Sequence, residues 1–115
     1  GTGPTEEQLE QFWYLINLKG GRHIFHNLIT YMSDRLEHRE RWVNALIVSQ
    51  VPLALINGSA DPVSGAHMVA RYQELGCRLD YLAELENIGH YPQVEAPSLV
   101  AHHYLDFLQG VRGHC

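Results

Sequence analysis

The sequence predicts an α/β fold: helices through the first half, then strand–helix–strand–helix from the end of a parallel sheet. Three observations predict it. Apolar residues recur at helical spacing between Leu9 and Ile47. Pro52-Leu53-Ala54-Leu55-Ile56 is a short, continuous apolar run with Val51 ahead of it and Asn57-Gly58 behind, the pattern of a parallel strand covered on both faces. Leu79, Tyr81, Ala83 and Leu85 then alternate with mostly polar neighbours, as in a half-buried strand near a sheet edge. With a helix between them, the two strands make a βαβ unit.

Each element has its own signal. Thr5-Glu6-Glu7-Gln8, preceded by Pro4, is a capping box that starts the first helix. Leu9, Phe12, Trp13 and Ile16 give that helix one apolar face. Gly20-Gly21 stops it, with Lys19 near the negative end of the dipole. A second helix is predicted from about His23, with Phe25, Leu28, Ile29, Met32 and Leu36 on one side. A shorter third helix covers Glu40 to Ile47, its apolar contacts being Trp42, Leu46 and Ile47. After the first strand, a loop from Gly58 to Gly65 leads to a helix carrying Met68, Val69, Tyr72 and Leu75 and ended by Gly76. The second strand is followed by a loop from Glu86 to Ala96. Pro97 then opens the last helix, with Val100, Tyr104, Phe107, Leu108 and Val111 as its predicted buried stripe. Two parallel strands do not stand alone as a sheet, because each needs neighbours for its backbone groups. The expectation is therefore a chain incomplete as a domain, divided into residues 1–50 and 51–115.

Composition bounds the function. The 115 residues carry 8 Lys+Arg against 13 Asp+Glu, a net charge of −5, and are 45% hydrophobic. That is globular rather than disordered, and the scattered, outnumbered basic residues argue against a nucleic-acid partner. No apolar run is long enough for a transmembrane segment. Cys77 and Cys115 are too few for a disulfide framework and fit a reduced compartment. No signal peptide is visible, so a cytoplasmic protein is expected, although the chain opens on Gly1-Thr2-Gly3 without an initiator methionine. Among eight histidines, His23 and His26 share a helical spacing, while the adjacent His102-His103 face different ways. With no H-E-x-x-H or C-x-x-C, neither a metal nor another cofactor is expected. Glu84, Glu86 and Glu95 read as a solvated acidic rim.

Two loops hold residues of catalytic type. Asp61 lies in Asn57-Gly58-Ser59-Ala60-Asp61-Pro62, just past the first strand, and His90 in Ile88-Gly89-His90-Tyr91-Pro92, past the second. Ligand crevices of open α/β sheets lie outside the carboxyl ends of the strands, so adjacent parallel strands would set Asp61 beside His90. A carboxylate there fixes the imidazole tautomer and stabilises the imidazolium, as a general base requires. An Asp before Pro is also a common turn former; the pairing of the two loops is what favours chemistry. Ser59 and Ser64 sit in the acid loop and read as turn or capping residues. No G-x-S-x-G is present, so a nucleophile is not evident.

From Val51 onward the chain resembles the carboxyl-terminal part of the α/β-hydrolase family. Pro52 to Pro62 resembles the strand and loop that deliver the triad acid. Gly89-His90-Tyr91-Pro92-Gln93-Val94-Glu95-Ala96-Pro97 is similar to the G-H-x-x-Q-x-E/D-x-P segment that delivers the triad histidine, with histidine, acid and proline in register. Upstream, Tyr31, Arg35 and Arg41-Trp42 resemble the end of the helical cap in the epoxide-hydrolase and mesoderm-specific-transcript-like branch. The resemblance implies the tail of a cap in residues 1–50 and the last two strands and helices of the core in 51–115. It implies Asp61 as acid and His90 as base, acting opposite a nucleophile supplied earlier in the polypeptide. It also implies that Tyr31 donates a hydrogen bond to an oxirane oxygen as the ring opens, an oxyanion-type role. Trp13, Tyr14 and Phe25 are candidates to line an apolar pocket for a small-molecule substrate, though aromatics at this spacing equally serve a core.

An aspartate nucleophile would mean epoxides; a serine would mean an esterase or lipase with the same acid and base. The competing class is a non-catalytic truncated fragment that binds a partner. In every case the chain alone is expected to be inactive. Its partners are expected to be the N-terminal remainder of such a hydrolase, or a second copy joined through the exposed strand edge.

Overall fold

The computed structural model describes residues 1–113; Cys115, considered above for its thiol, lies outside the described residues. The chain forms two compact units, one of Pro4–Asn44 and one of Gly1–Gly3 with the chain from Ala45 onward.

The Pro4–Asn44 unit is helical. Helix α1 (Glu6–Asn17) begins at the capping box: the Thr5 hydroxyl accepts the Gln8 amide at 3.2 Å, and the Gln8 side chain accepts the Thr5 amide at 2.9 Å. It ends in a 3₁₀ stretch, Leu18–Ile24, where Lys19 (φ 52°) and Gly20 (φ 74°) take left-handed backbone. The helix predicted from His23 to Leu36 is instead two short helices, α2 (Phe25–Leu28) and α3 (Tyr31–Glu37). The reason lies at Thr30. Its hydroxyl donates to the Asn27 carbonyl at 2.7 Å and its amide reaches the same oxygen at 3.2 Å, so the chain tightens into an i→i+3 turn instead of continuing the α ladder. Helix α4 (Arg39–Ile47) follows. None of residues 4–44 is buried: Leu9, Trp13 and Leu36 of the expected apolar faces are 51%, 63% and 81% exposed. Periodicity fixed the helical pitch here but not the burial of the stripe.

The other unit holds the sheet. Strand β1 (Ala54–Gly58) pairs in parallel with β2 (Tyr81–Leu85), Ala54 facing Tyr81 and Gly58 facing Leu85. Helix α5 (Ala66–Glu74) makes the crossover. These are the only two strands among the described residues. The first strand begins two residues later than its apolar run, because Pro52 has no amide to donate. Leu53 is held instead by Asp80, whose carboxylate accepts the Leu53 amide at 2.9 Å and whose own amide donates back at 2.8 Å.

The core is small: Val69, Cys77, Ala83 and Leu85 are buried. Ala83 and Leu85 alternate with exposed Leu82 and Glu84, the period of a one-sided strand. Strand β1 is not covered on both faces, since Ala54 is exposed and Leu55 and Ile56 are half-buried.

A short helix, α6 (Pro92–Glu95), interrupts what the sequence reads as loop, and α7 (Pro97–Arg112) closes the unit. On α7, Val100, Phe107, Leu108 and Val111 are half-buried but Tyr104 is 53% exposed. Tyr81, the first residue of β2, reaches this helix, its hydroxyl 2.8 Å from His103 Nδ1 and its ring against Phe107. No helix of the described residues is long and apolar enough to cross a membrane.

Candidate active site

The parallel register places the two catalytic-type residues together. Past Gly58 the chain stays bonded to the neighbouring loop, Ser59 donating its amide to the Leu85 carbonyl and Ala60 to the Ile88 carbonyl, each at 3.0 Å. This lateral stitching brings the Asp61 loop over the His90 loop. The approach requires glycine at 58, where a β-carbon would lie 2.1 Å from the Gly89 carbonyl oxygen. Gly65 is constrained in the same way, its β-carbon falling 2.3 Å from the Asp61 carbonyl oxygen.

Asp61 is buried, 5% exposed, and its carboxylate accepts four hydrogen bonds. One oxygen accepts the Val63 amide at 2.9 Å. The other accepts the Ser64 amide at 2.9 Å, the Ser64 hydroxyl at 2.5 Å and His90 Nδ1 at 2.7 Å. The Ser64 hydroxyl, ahead of the His90 and backbone hydrogen bonds, holds the Asp61 carboxyl well below the usual carboxylate range, against the opposing effect of burial. An ionised carboxylate has no proton to give, so the hydrogen of the Asp61–His90 contact sits on Nδ1. In the neutral ring Nε2 is then the lone-pair nitrogen. The His90 side chain is 48% exposed and meets the Tyr91 ring edge-on at 4.8 Å. A buried anion behind a half-exposed imidazole with one fixed tautomer can take a proton from a hydroxyl or water and stabilise the resulting cation.

Two side chains carry more than the sequence reading gave them. The sequence reads Ser64 as a turn or capping residue; its hydroxyl also shares the Asp61 oxygen that His90 uses. Glu95, a solvated rim residue by sequence, is half-buried, and its carboxylate accepts the Gly89 amide at 2.8 Å and the Thr2 amide at 2.5 Å. Those bonds, Thr2 first and Gly89 second, lower the Glu95 carboxyl from its ordinary value. The acid of the histidine segment is the signal available for Glu95; for Ser64 it is its place in the acid loop, three residues after Asp61.

The remaining candidates lie in the Pro4–Asn44 unit. Trp13 and Tyr14, 63% and 66% exposed, share a shallow hollow with Glu10, Asn17, Leu18 and Lys19. Tyr31 opens α3 and is 49% exposed, and Phe25 opens α2 at 48%. Among the described residues no group of three or more His, Cys, Asp or Glu is placed to hold a metal ion. His102 approaches Asp106 at 3.3 Å on α7, while His103 turns to Tyr81.

Comparison with known proteins gives the site its context. LipZ of Mycobacterium tuberculosis, provisionally named a hydrolase, is 34% identical over 104 residues, 90% of this chain and 36% of its own length. The mesoderm-specific transcript protein of Mus musculus and its Homo sapiens homologue are each 31% identical over 108 residues, 93% of this chain and 32% of theirs. The chain thus spans about a third of the length of these curated relatives. No family model and no solved structure matches it. The similarities support a relation to the α/β-hydrolase superfamily.

Proposed function

We propose that this chain supplies the acid–base half of a hydrolase active site of the α/β-hydrolase type, with His90 as base and Asp61 as the acid that orients it. The observation that carries the reading is the 2.7 Å contact between His90 Nδ1 and the buried Asp61 carboxylate, each at the carboxyl end of its own parallel strand. The hydrolase name of a 34% identical relative agrees with it.

On this reading, residues 1–50 are the tail of a helical cap and 51–115 the last two strands and helices of the core. A nucleophile outside these residues attacks an electrophilic carbon of a small apolar substrate, a bond from that carbon to oxygen breaks with the electron pair leaving on the oxygen, and a covalent ester remains. His90 Nε2 then removes a proton from water as the water attacks that ester, and Asp61 stabilises the imidazolium through Nδ1–H. The epoxide-hydrolase-like form is favoured by the resemblance around Tyr31, which assigns its hydroxyl to the oxirane oxygen and leaves Trp13 and Tyr14 as apolar substrate contacts. With a serine nucleophile, Nε2 would first take the hydroxyl proton, and the substrates would be esters.

The test is complementation. The chain alone is expected to hydrolyse neither nitrophenyl esters nor styrene oxide. Mixed with a separately expressed N-terminal part that carries an Asp or Ser elbow, it is expected to restore turnover, and His90→Ala to remove it. Turnover by the chain alone, abolished by His90→Ala, would refute the need for an outside nucleophile. A folded mixture that stays inactive on both substrates would favour a non-catalytic fragment.

A further inference from the structure

We infer that Glu95 is a positioning residue for His90, a clamp on the one peptide unit that aims the imidazole at Asp61. The inference rests on the acid–base reading proposed above and adds a third residue to it.

The peptide between Ile88 and Gly89 is held at both ends. Its carbonyl, on Ile88, accepts the Ala60 amide at 3.0 Å from the Asp61 loop. Its N–H, on Gly89, donates to Glu95 Oε2 at 2.8 Å. A peptide plane pinned by its oxygen and its hydrogen cannot rotate about either flanking bond without losing one of them. The pinning matters because the next residue is glycine, with the widest backbone freedom of any residue, and His90 follows it directly. A swing at Gly89 would carry the imidazole away from the buried carboxylate, whose position is fixed independently by Val63 and Ser64.

Glu95 is well placed to hold. It is the last residue of α6, whose turn is closed by the Val94 and Glu95 amides on the Tyr91 carbonyl at 2.9 and 3.0 Å, and by the Ala96 amide on the Pro92 carbonyl at 2.8 Å. The segment from Gly89 to Glu95 is thus a ring closed by one carboxylate, with His90 inside it and the Tyr91 ring in a T-shaped contact with the imidazole. The second carboxylate oxygen takes the Thr2 amide, which keeps the side chain from rotating off Gly89. Glu95 touches no reacting atom; it acts through His90.

The experiment reads the proton on His90 Nδ1 in the ¹⁵N-labelled chain, by long-range ¹H–¹⁵N spectra and water exchange. The wild-type chain is expected to show the Nδ1–H tautomer, and Asp61→Asn to lose it. Glu95→Ala is expected to degrade that signature and speed exchange of the Nδ1 proton roughly tenfold, the factor an ordinary net hydrogen bond controls, while the Val69 and Ala83 amide signals stay in place. Glu95→Gln, which keeps an oxygen for the Gly89 amide, is expected to retain the wild-type signature. If Glu95→Ala does not fold, Glu95→Asp, one methylene short of the amide, is expected to give the same loss. A folded Glu95→Ala or Glu95→Asp chain with unchanged tautomer and exchange overturns the clamp alone. A Gln variant as impaired as the alanine one also overturns it, because the hydrogen bond would then not be the agent. A wild-type signal that is absent, or that survives Asp61→Asn, overturns the acid–base pairing and the clamp with it.

Discussion

The two units of the chain are built on opposite principles. The Pro4–Asn44 unit consists of short helices whose hydrogen bonds are local, and it buries no residue. The unit from Ala45 onward depends on a parallel pairing between β1 and β2 and buries both its few core side chains and a carboxylate. Local order can be made without burial, and even the buried Asp61 carboxylate draws three of its donors from Val63 and Ser64 close by in its own loop; the fourth, His90, is delivered by long-range register. The candidate acid–base pair accordingly belongs to the unit with non-local contacts.

Four perturbations break or sharpen that contrast. The largest effect is expected from Gly58→Ala, which drives a β-carbon into the Gly89 carbonyl. It should cost about 3 kcal/mol, the upper end of overpacking, and separate Asp61 from His90; an unchanged urea midpoint would contradict the close approach. Val69→Ala, at the 2% exposed centre of the core, should cost about 2 kcal/mol in the same assay.

Acid is the third lever. The Asp61, Asp80 and Glu95 carboxyls are all lowered in the folded chain relative to unfolded values of about 4. The unfolded state therefore takes up protons first as pH falls. The stability these groups contribute is complete above about pH 5 and is lost as pH drops through their folded values. Denaturation midpoints measured from pH 5 downward should fall in the wild-type chain and fall less steeply in Asp61→Asn; parallel slopes would remove Asp61 from the acid limb. Smallest of all, Leu36→Ala, at 81% exposure, should shift the midpoint by no more than about 0.5 kcal/mol. A larger loss would mean that the helical unit is held by more than local bonds.

The same contrast explains what could be read from the residues. Strand order, the crossover helix and the nearness of the Asp61 and His90 loops follow from alternation, Gly58 and Pro97, because parallel strands put their carboxyl ends on one side. The capping box at Thr5 was equally legible. The division of the second helix was not, since a single Thr30 hydroxyl captures the Asn27 carbonyl and leaves no mark on the apolar period. Burial was least legible. Leu9, Trp13 and Tyr104 sit at core-like spacing yet are exposed, because spacing tells which residues share a face and not what that face meets. Ser64 and Glu95 escaped for a different reason: each lies only a few residues from its partner, Asp61 or Gly89, but the bond depends on how the loop turns, which residue types alone do not fix.

The Asp61–His90 contact has one more consequence, in folding kinetics. Its two residues are 29 positions apart, and the chain between them runs through α5 and β2, while β1 leads into the Asp61 loop. Loop-closure entropy must be overcome before that contact yields anything, so it cannot form while either strand is free. The proton on His90 Nδ1 is thus a late-forming probe: its appearance during refolding dates the completion of the parallel pairing, while helix formation in residues 4–44 can run ahead of it.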